Sequence, residues 1–378
     1  MADTDAAVVF ETWEAGNGRR IGVATLDSPA TLNGVSLPMA RALGERLVAW
    51  EDDPAIALVI LRGNGPKAFC AGGDLQALYR AILDFRASGS TDVRDNAYAR
   101  AFFEAEYRLD YRIHTYAKPL LCWGHGYVMG GGIGLMAGAS HRVVTETSRL
   151  AMPEVGIGLY PDVAGSWLLD RVPGRTGRFL ALTAAQLDAG DAIFAGLADH
   201  AIAGARQEEV FAALRALDWQ GARAHDERLL DAALRGFALA LEHGPLRRHF
   251  DALSDACRHA TVEEAVAAIA ALPDADPWIA RAQKTMAAGA PGSLRLSWEM
   301  QRRAHLLSLA DTFRMEYLVS LHCAASGDFG EGIRALLIDK DRTPHWRPAT
   351  LAGADARWLQ GFFDAPWPAG AHPLADLG

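Results

Sequence analysis

GYVMGGGIGLMAGA, residues 126–139, reads as a strand, a glycine turn and a short helix. Two readings compete for it. Gly132-x-Gly134-x-x-Ala137 formally matches a dinucleotide fingerprint. That match is weak. The helix has room for only about two turns before HRVVTET (141–147) resumes a strand. A dinucleotide crossover carries a longer helix and lies near the start of its domain. The other reading draws on a second glycine turn, KAFCAGGDL (67–75), which also follows a strand and precedes a helical pattern. Glycine lets the backbone approach a ligand closely, and N–H groups at a helix start have no intrahelical acceptor. Two such turns, each supplying one N–H, make an oxyanion hole. Taken alone, KAFCAGGDL is equally well a tight turn with Asp74 as the helix N-cap.

Working outward, AAVVFETWE (6–14) and RIGVATLD (20–27) read as paired strands around the turn AGNG. PMARALGERLVAWEDD has helical apolar spacing, and IALVILRGNG is a buried strand ending in a glycine turn. KPLLCWGHGYVM reads as one strand and HRVVTET as another. The order strand, strand, helix, strand predicts a mixed α/β core. From about residue 205 the patterns become helical and rich in Ala and Leu, as in ARQEEVFAALRAL, TVEEAVAAIAAL and SLADTFRMEYLVSLHCAAS. The expected organisation is a core over 1–204 and a helical region over 205–378, with DKDRTPHWRP and DAPWPAGAHP as an irregular tail.

Half of the 378 residues are hydrophobic, enough for a sizeable core, and 37 basic against 46 acidic residues give a net charge of −9. An acidic surface argues against general nucleic-acid binding. The four cysteines, Cys70, Cys122, Cys257 and Cys323, form no CxxC pair, which reads as reduced thiols in a cytoplasmic setting. The acidic start MADTDAAVVFETWE carries no secretory pattern, and no apolar run reaches membrane-span length. HxxxH and HxH spacings are absent, so no metal is expected; GxSxG and Walker sequences are absent as well.

Two carboxylates stand out. Glu154 and Asp162 lie in AMPEVGIGLYPDVAG (151–165), where everything between them is apolar, Gly or Pro apart from Tyr160. A carboxyl in an apolar setting has its charged form disfavoured, so its pKa rises and it becomes a better base. Asp162 also competes with Ser166 as N-cap for the helix around SWLLDRV. His125, a lone histidine at a strand end, reads as structural, Cys70 as a small core residue, and Glu106 in FFEAEYRLDY as part of a solvated helix face.

Together, KAFCAGGDL, HGYVMGGGIGL and AMPEVGIGLYPDVAG, in this order and spacing, resemble the crotonase (enoyl-CoA hydratase/isomerase) superfamily. The stretch DFGEGIRALLIDKDRTPHWRP (328–348) resembles a signature of its thioester-hydrolysing branch. The resemblance runs from about residue 8 to 363 and is weakest across roughly 205–290. It implies a crotonase-like spiral of ββα turns with a mainly helical C-terminal region. It implies an acyl-CoA substrate, with CoA entering as part of that substrate and no separate cofactor, and it leaves a homo-oligomer open. The backbone N–H groups of Gly73 and Gly131 fall at the oxyanion-hole positions. Hydratases of the superfamily carry a glutamate three residues after the second of these glycines, where this chain has Gly134. The implied reaction is therefore hydrolysis of a short 3-hydroxyacyl-CoA, 3-hydroxyisobutyryl-CoA foremost, with a hydratase or isomerase reaction on another acyl-CoA as the alternative. Glu154 would attack the thioester or activate water, and both routes stay open. Asp162 would accept a hydrogen bond from the substrate hydroxyl. The resemblance moves Glu106 from a solvated face into the substrate site.

Overall fold

The computed structural model describes residues 7–368 and 370–378. The first six residues of the acidic start, read above for a targeting pattern, lie outside the described residues. The expected strand pair is present: β1 (Val8–Glu14) runs antiparallel to β2 (Arg20–Leu26). Helix α1 (Leu37–Asp52) follows, started by the Ser36 hydroxyl, which accepts from Met39 N–H. Then come β3 (Ile56–Gly63), β4 (Ala68–Cys70), α2 (Leu75–Ser88) and α3 (Ala97–Thr115). They are followed by β5 (Leu120–Gly124), β6 (Tyr127–Met129), α4 (Gly131–Ala137), β7 (His141–Val144), β8 (Arg149–Ala151) and β9 (His200–Ala201).

The strands form two sheets, one in the order β1-β2-β3-β5-β7-β9 and one in the order β4-β6-β8. From β2 onward the large sheet is parallel. From β3 onward successive strands alternate between the large sheet and the small one, in keeping with a ββα spiral. The stretch KPLLCWGHGYVM is two strands rather than one. The chain leaves the large sheet at His125 and enters the small one at Tyr127. Gly126 makes this change of sheet possible: its φ is +57°, and a Cβ there would lie 2.1 Å from the Lys67 carbonyl oxygen. His125 braces the same corner, its Nε2 lying 2.8 Å from the Gly65 carbonyl oxygen, in keeping with a structural role.

The chain divides into two compact units that interleave in sequence. The first takes the chain up to Gly73, Arg108–Leu150 and Leu187–Arg247; the second takes Asp74–Tyr107, Ala151–Gln186 and Arg248–Gly378. In the first, Val23, Leu58, Ile60, Leu121, Trp123 and Val143 of the large sheet bury against Phe211, Leu214 and Trp219. Non-directional burial of this kind supplies most of the stability of such a unit. The second is mainly helical, and its long helices Pro291–Ala304 and Leu309–Ser326 carry many buried side chains. Its tail is irregular in backbone but anchored: the Arg314 guanidinium donates to the Leu374 carbonyl, and Arg334 pairs with Glu331, Asp339 and Asp341. None of the four cysteines is in a disulfide, and all are buried. Among the described residues no helix is long and apolar enough to cross a membrane.

Candidate active site

The glycine turns belong to the first unit. Strands β4 and β6 run parallel and end at Cys70 and Met129, so both turns leave the carboxyl ends of neighbouring strands. Ligand sites of α/β sheets gather at such ends. Gly73 follows β4 and pairs with Val35 as an isolated bridge. Gly131 is the first residue of α4, where helix geometry leaves its N–H without an intrahelical acceptor. The two turns are pressed together: a Cβ on Gly132 would lie 2.2 Å from the Cys70 carbonyl oxygen. The bland reading of Asp74 also holds, since its carboxylate accepts from Ala77 N–H and caps α2.

The acids belong to the second unit. Glu106, Glu154, Asp162 and Glu316 are all buried, at 3%, 4%, 5% and 0% exposure. Glu106 therefore does not sit on a solvated helix face. The i to i+4 pattern of FFEAEYRLDY places Phe102, Phe103, Glu106 and Tyr107 together on the buried side of α3. Glu154 opens a single 3₁₀ turn, Glu154–Ile157, whose end is tied back by Leu159 N–H donating to the Glu154 carbonyl. Asp162 sits just before Val163 and Ala164, both with positive φ of 51° and 67°. Non-glycine residues hold that conformation only where their surroundings enforce it.

What enforces it here is Glu316. Its carboxylate accepts from the N–H groups of Ala164, at 2.8 Å, and Ser166, at 3.1 Å. Neither Asp162 nor Ser166 caps the helix Gly165–Asp170; an acid from the helix Leu309–Ser326 does so from outside. A chain of hydroxyls extends the frame. Tyr107 O–H donates to Asp162 Oδ2 at 2.7 Å. The Tyr107 and Tyr160 hydroxyls each lie 2.8 Å from Ser320 Oγ, and Tyr160 O–H donates to the Glu316 carbonyl oxygen. Glu316, Tyr107, Tyr160 and Ser320 were not singled out in the sequence. No local signal marks Glu316, which shares the helical stretch FRMEYLVS with Arg314; its burial follows only from the fold.

Burial pushes every one of these carboxyls up. Asp162 rises to about 6, with the Tyr107 hydroxyl and a backbone N–H holding it down. Glu316 rises to about 8, against the pull of the N–H groups it accepts. Glu106 is raised well above the ordinary glutamate range by burial and by Asp162. Glu154 is raised well above it by burial, then by Asp162, Glu106 and Glu316. The charges acting on these acids are one another's, so they cannot all ionise together. Asp162, with the best donor, carries charge first. Glu154 Oε2 is buried with no hydrogen-bond partner among the described residues. A carboxyl kept basic, with one oxygen unengaged, is suited to take a proton or attack a carbonyl.

The enoyl-CoA hydratase/isomerase family profile matches residues 21–363. The chain belongs to the enoyl-CoA hydratase/isomerase family. Among curated relatives, 3-hydroxyisobutyryl-CoA hydrolase of Gallus gallus is 36% identical over 90% of this chain and 86% of its own. The Homo sapiens hydrolase of the same name is 35% identical over the same shares. Among solved structures, a carnitinyl-CoA dehydratase from Mycobacterium thermoresistibile is 37% identical, covers 97% of this chain and 98% of its own, and has a TM-score of 0.83. An enoyl-CoA hydratase from Rhodobacter sphaeroides is 33% identical at a TM-score of 0.82, with the same coverage. These names span three reactions on one family fold, so the fold alone does not choose among them.

Proposed function

We propose that this protein hydrolyses a short 3-hydroxyacyl-CoA thioester, 3-hydroxyisobutyryl-CoA above all, to the hydroxy acid and free CoA. The observation that carries this is the buried acid set, in which Glu154 keeps one oxygen unengaged while Asp162 is held by Tyr107. The relatives named as this hydrolase support it over most of the chain. Gly134 supports it too, because a second acid at that position is what hydration needs by family resemblance.

In this reading the N–H groups of Gly73 and Gly131 hold the thioester oxygen as it gains negative charge. Each such donor is worth roughly 3–4 kcal/mol of barrier. Glu154 acts as its carboxylate. In one route an oxygen of Glu154 bonds to the acyl carbon, the C–S bond breaks, the CoA thiolate leaves and takes up a proton, and water then cleaves the mixed anhydride. In the other, Glu154 takes a proton from the water that attacks the acyl carbon. Asp162 accepts the substrate's 3-hydroxyl proton in a hydrogen bond. A site built around that bond rejects acyl groups lacking the hydroxyl. Glu106 borders the acyl group. CoA arrives as part of the substrate, no other cofactor enters, and four buried cysteines outside any disulfide suit a reducing compartment.

The test is a substrate panel read in two ways, free thiol released and double bond consumed. Thiol release from 3-hydroxyisobutyryl-CoA with formation of the hydroxy acid is expected. Hydration of a 2-enoyl-CoA with no thiol release from any hydroxyacyl-CoA would replace hydrolysis by the hydratase reaction.

A further inference from the structure

Away from the acid set, the first unit holds a second group of chemistry-bearing side chains. His141 opens β7, His200 lies on the neighbouring strand β9, and Asp231 lies on the helix Arg223–Arg235. One ligand atom from each falls within 4.8 Å of the other two. The imidazole rings are nearly parallel, 8° apart in plane and 5.9 Å between centroids. His200 Nε2 lies 3.4 Å from Asp231 Oδ1. No sequence spacing announces this set, because three separate elements contribute to it.

We propose that His141, His200 and Asp231 form a binding site for a divalent transition-metal ion of the zinc type. Two imidazoles and one carboxylate are a donor set such ions favour, with water in the remaining position. The water has a place to come from. His200 and Asp231 line an open pocket of about 800 Å³, together with Asp199, Arg235 and Glu242. A tetrahedral ion with bonds near 2 Å draws its ligands to roughly 3.3 Å of one another; the His200–Asp231 pair already has that spacing at 3.4 Å, and His141 makes up what remains of a separation of at most 4.8 Å. His141 is steered by both ring nitrogens, Nδ1 at 3.0 Å from Ser140 Oγ and Nε2 at 3.1 Å from the Glu227 carbonyl oxygen. Loading releases one of these contacts and leaves the other as the partner that orients the ring. Asp231 also pairs with Arg235 at 2.9 Å, but that arginine is 74% exposed and free to swing into solvent. Burial lowers the pKa of both histidines, which keeps them in the neutral form a metal requires.

The site would clip the two-residue edge strand β9 and the helix Arg223–Arg235 to β7. A ligand bound only by the folded state raises its melting temperature. The experiment uses the full chain freed of metal by chelation, titrated with Zn²⁺ by calorimetry and melted with and without the ion. One ion per chain, a rise in Tm, and binding weakened about tenfold or more in both His200→Gln and Asp231→Asn are expected. His225→Gln, an exposed histidine outside the set, should bind as the parent does. Circular dichroism establishes that each variant is folded, and the two binding variants report separately should one fail. Absence of a one-to-one site, or binding that both variants leave unchanged, would overturn the proposal.

Discussion

At the scale of single residues, the proposed function rests on how four acids, with no cationic partner among the described residues, share little charge. Tyr107 gives Asp162 its donor, so Tyr107→Phe should raise the Asp162 pKa above about 6. The expected readout is a KM for 3-hydroxyacyl-CoA that climbs as pH falls, at a higher pH than in the parent, with kcat for a plain acyl-CoA little changed. Asp162→Asn should cost hydroxylated substrates more than plain ones, and equal losses on both would remove its role as the hydroxyl's acceptor. In the proposed mechanism Glu154 must lose its proton to act, and burial raises its pKa. The acid limb of kcat/KM should therefore lie well above 4.5, the ordinary glutamate value. The burial of Glu154 and Asp162 was legible because an acid in a stretch of apolar residues, Gly and Pro has no solvated face to occupy. Glu106 was not, since FFEAEYRLDY offers Glu104 and Glu106 alike and only the packing of α3 buries the second.

At the scale of elements, one device in each unit holds its candidate groups. One is the Glu316 carboxylate, which keeps the segment carrying Asp162 in its positive-φ form. Glu316→Gln turns an amide N–H toward one of the two backbone donors, removing an acceptor and opposing donor to donor. The expected cost is about 1–3 kcal/mol of stability, read from urea unfolding, with a rise in KM. The other is the contact between the two glycine turns. Gly132→Ala would drive a methyl into the Cys70 carbonyl. Displacing one oxyanion donor should lower kcat by about 10²-fold or more, whereas unchanged kcat would free the turns from that role. Strand and helix positions were readable from period, as TVEEAVAAIAAL shows by forming the helix Val262–Ala270, whose start Thr261 and Glu264 close with a capping box. The break at Gly126 was not readable, because VM and LLCW have the same apolar character and only the Lys67 contact forces the change of sheet.

At the scale of the whole molecule, the buried acids leave a signature in stability against pH. Glu316 has its pKa raised from 4.5 to about 8 in the folded state. Between those values the unfolded chain releases the proton and the folded chain keeps it. Stability is therefore fully present below 4.5 and declines as pH rises toward 8, by at most about 1.4 kcal/mol per unit for each such group. Glu106 and Glu154 act in the same sense. Buried histidines such as His114, held down to about 4, act oppositely but only below their ordinary 6.5. Urea midpoints should thus fall between pH 6.5 and 8, and less steeply in Glu316→Gln. The overall α/β spiral with its helical C-terminal region was legible through motif order, since the order and spacing of two glycine turns and one acid stretch carry the family resemblance. The Glu316 cap was not, because long-range burial decides it and no local pattern encodes it.

The most direct measurement is kcat/KM for CoA release from 3-hydroxyisobutyryl-CoA by Glu154→Gln beside the parent protein, with circular dichroism showing both folded. A fall of at least about 10²-fold with an unchanged fold is the predicted result. Turnover within a few fold of the parent would show that Glu154 does not carry the reaction.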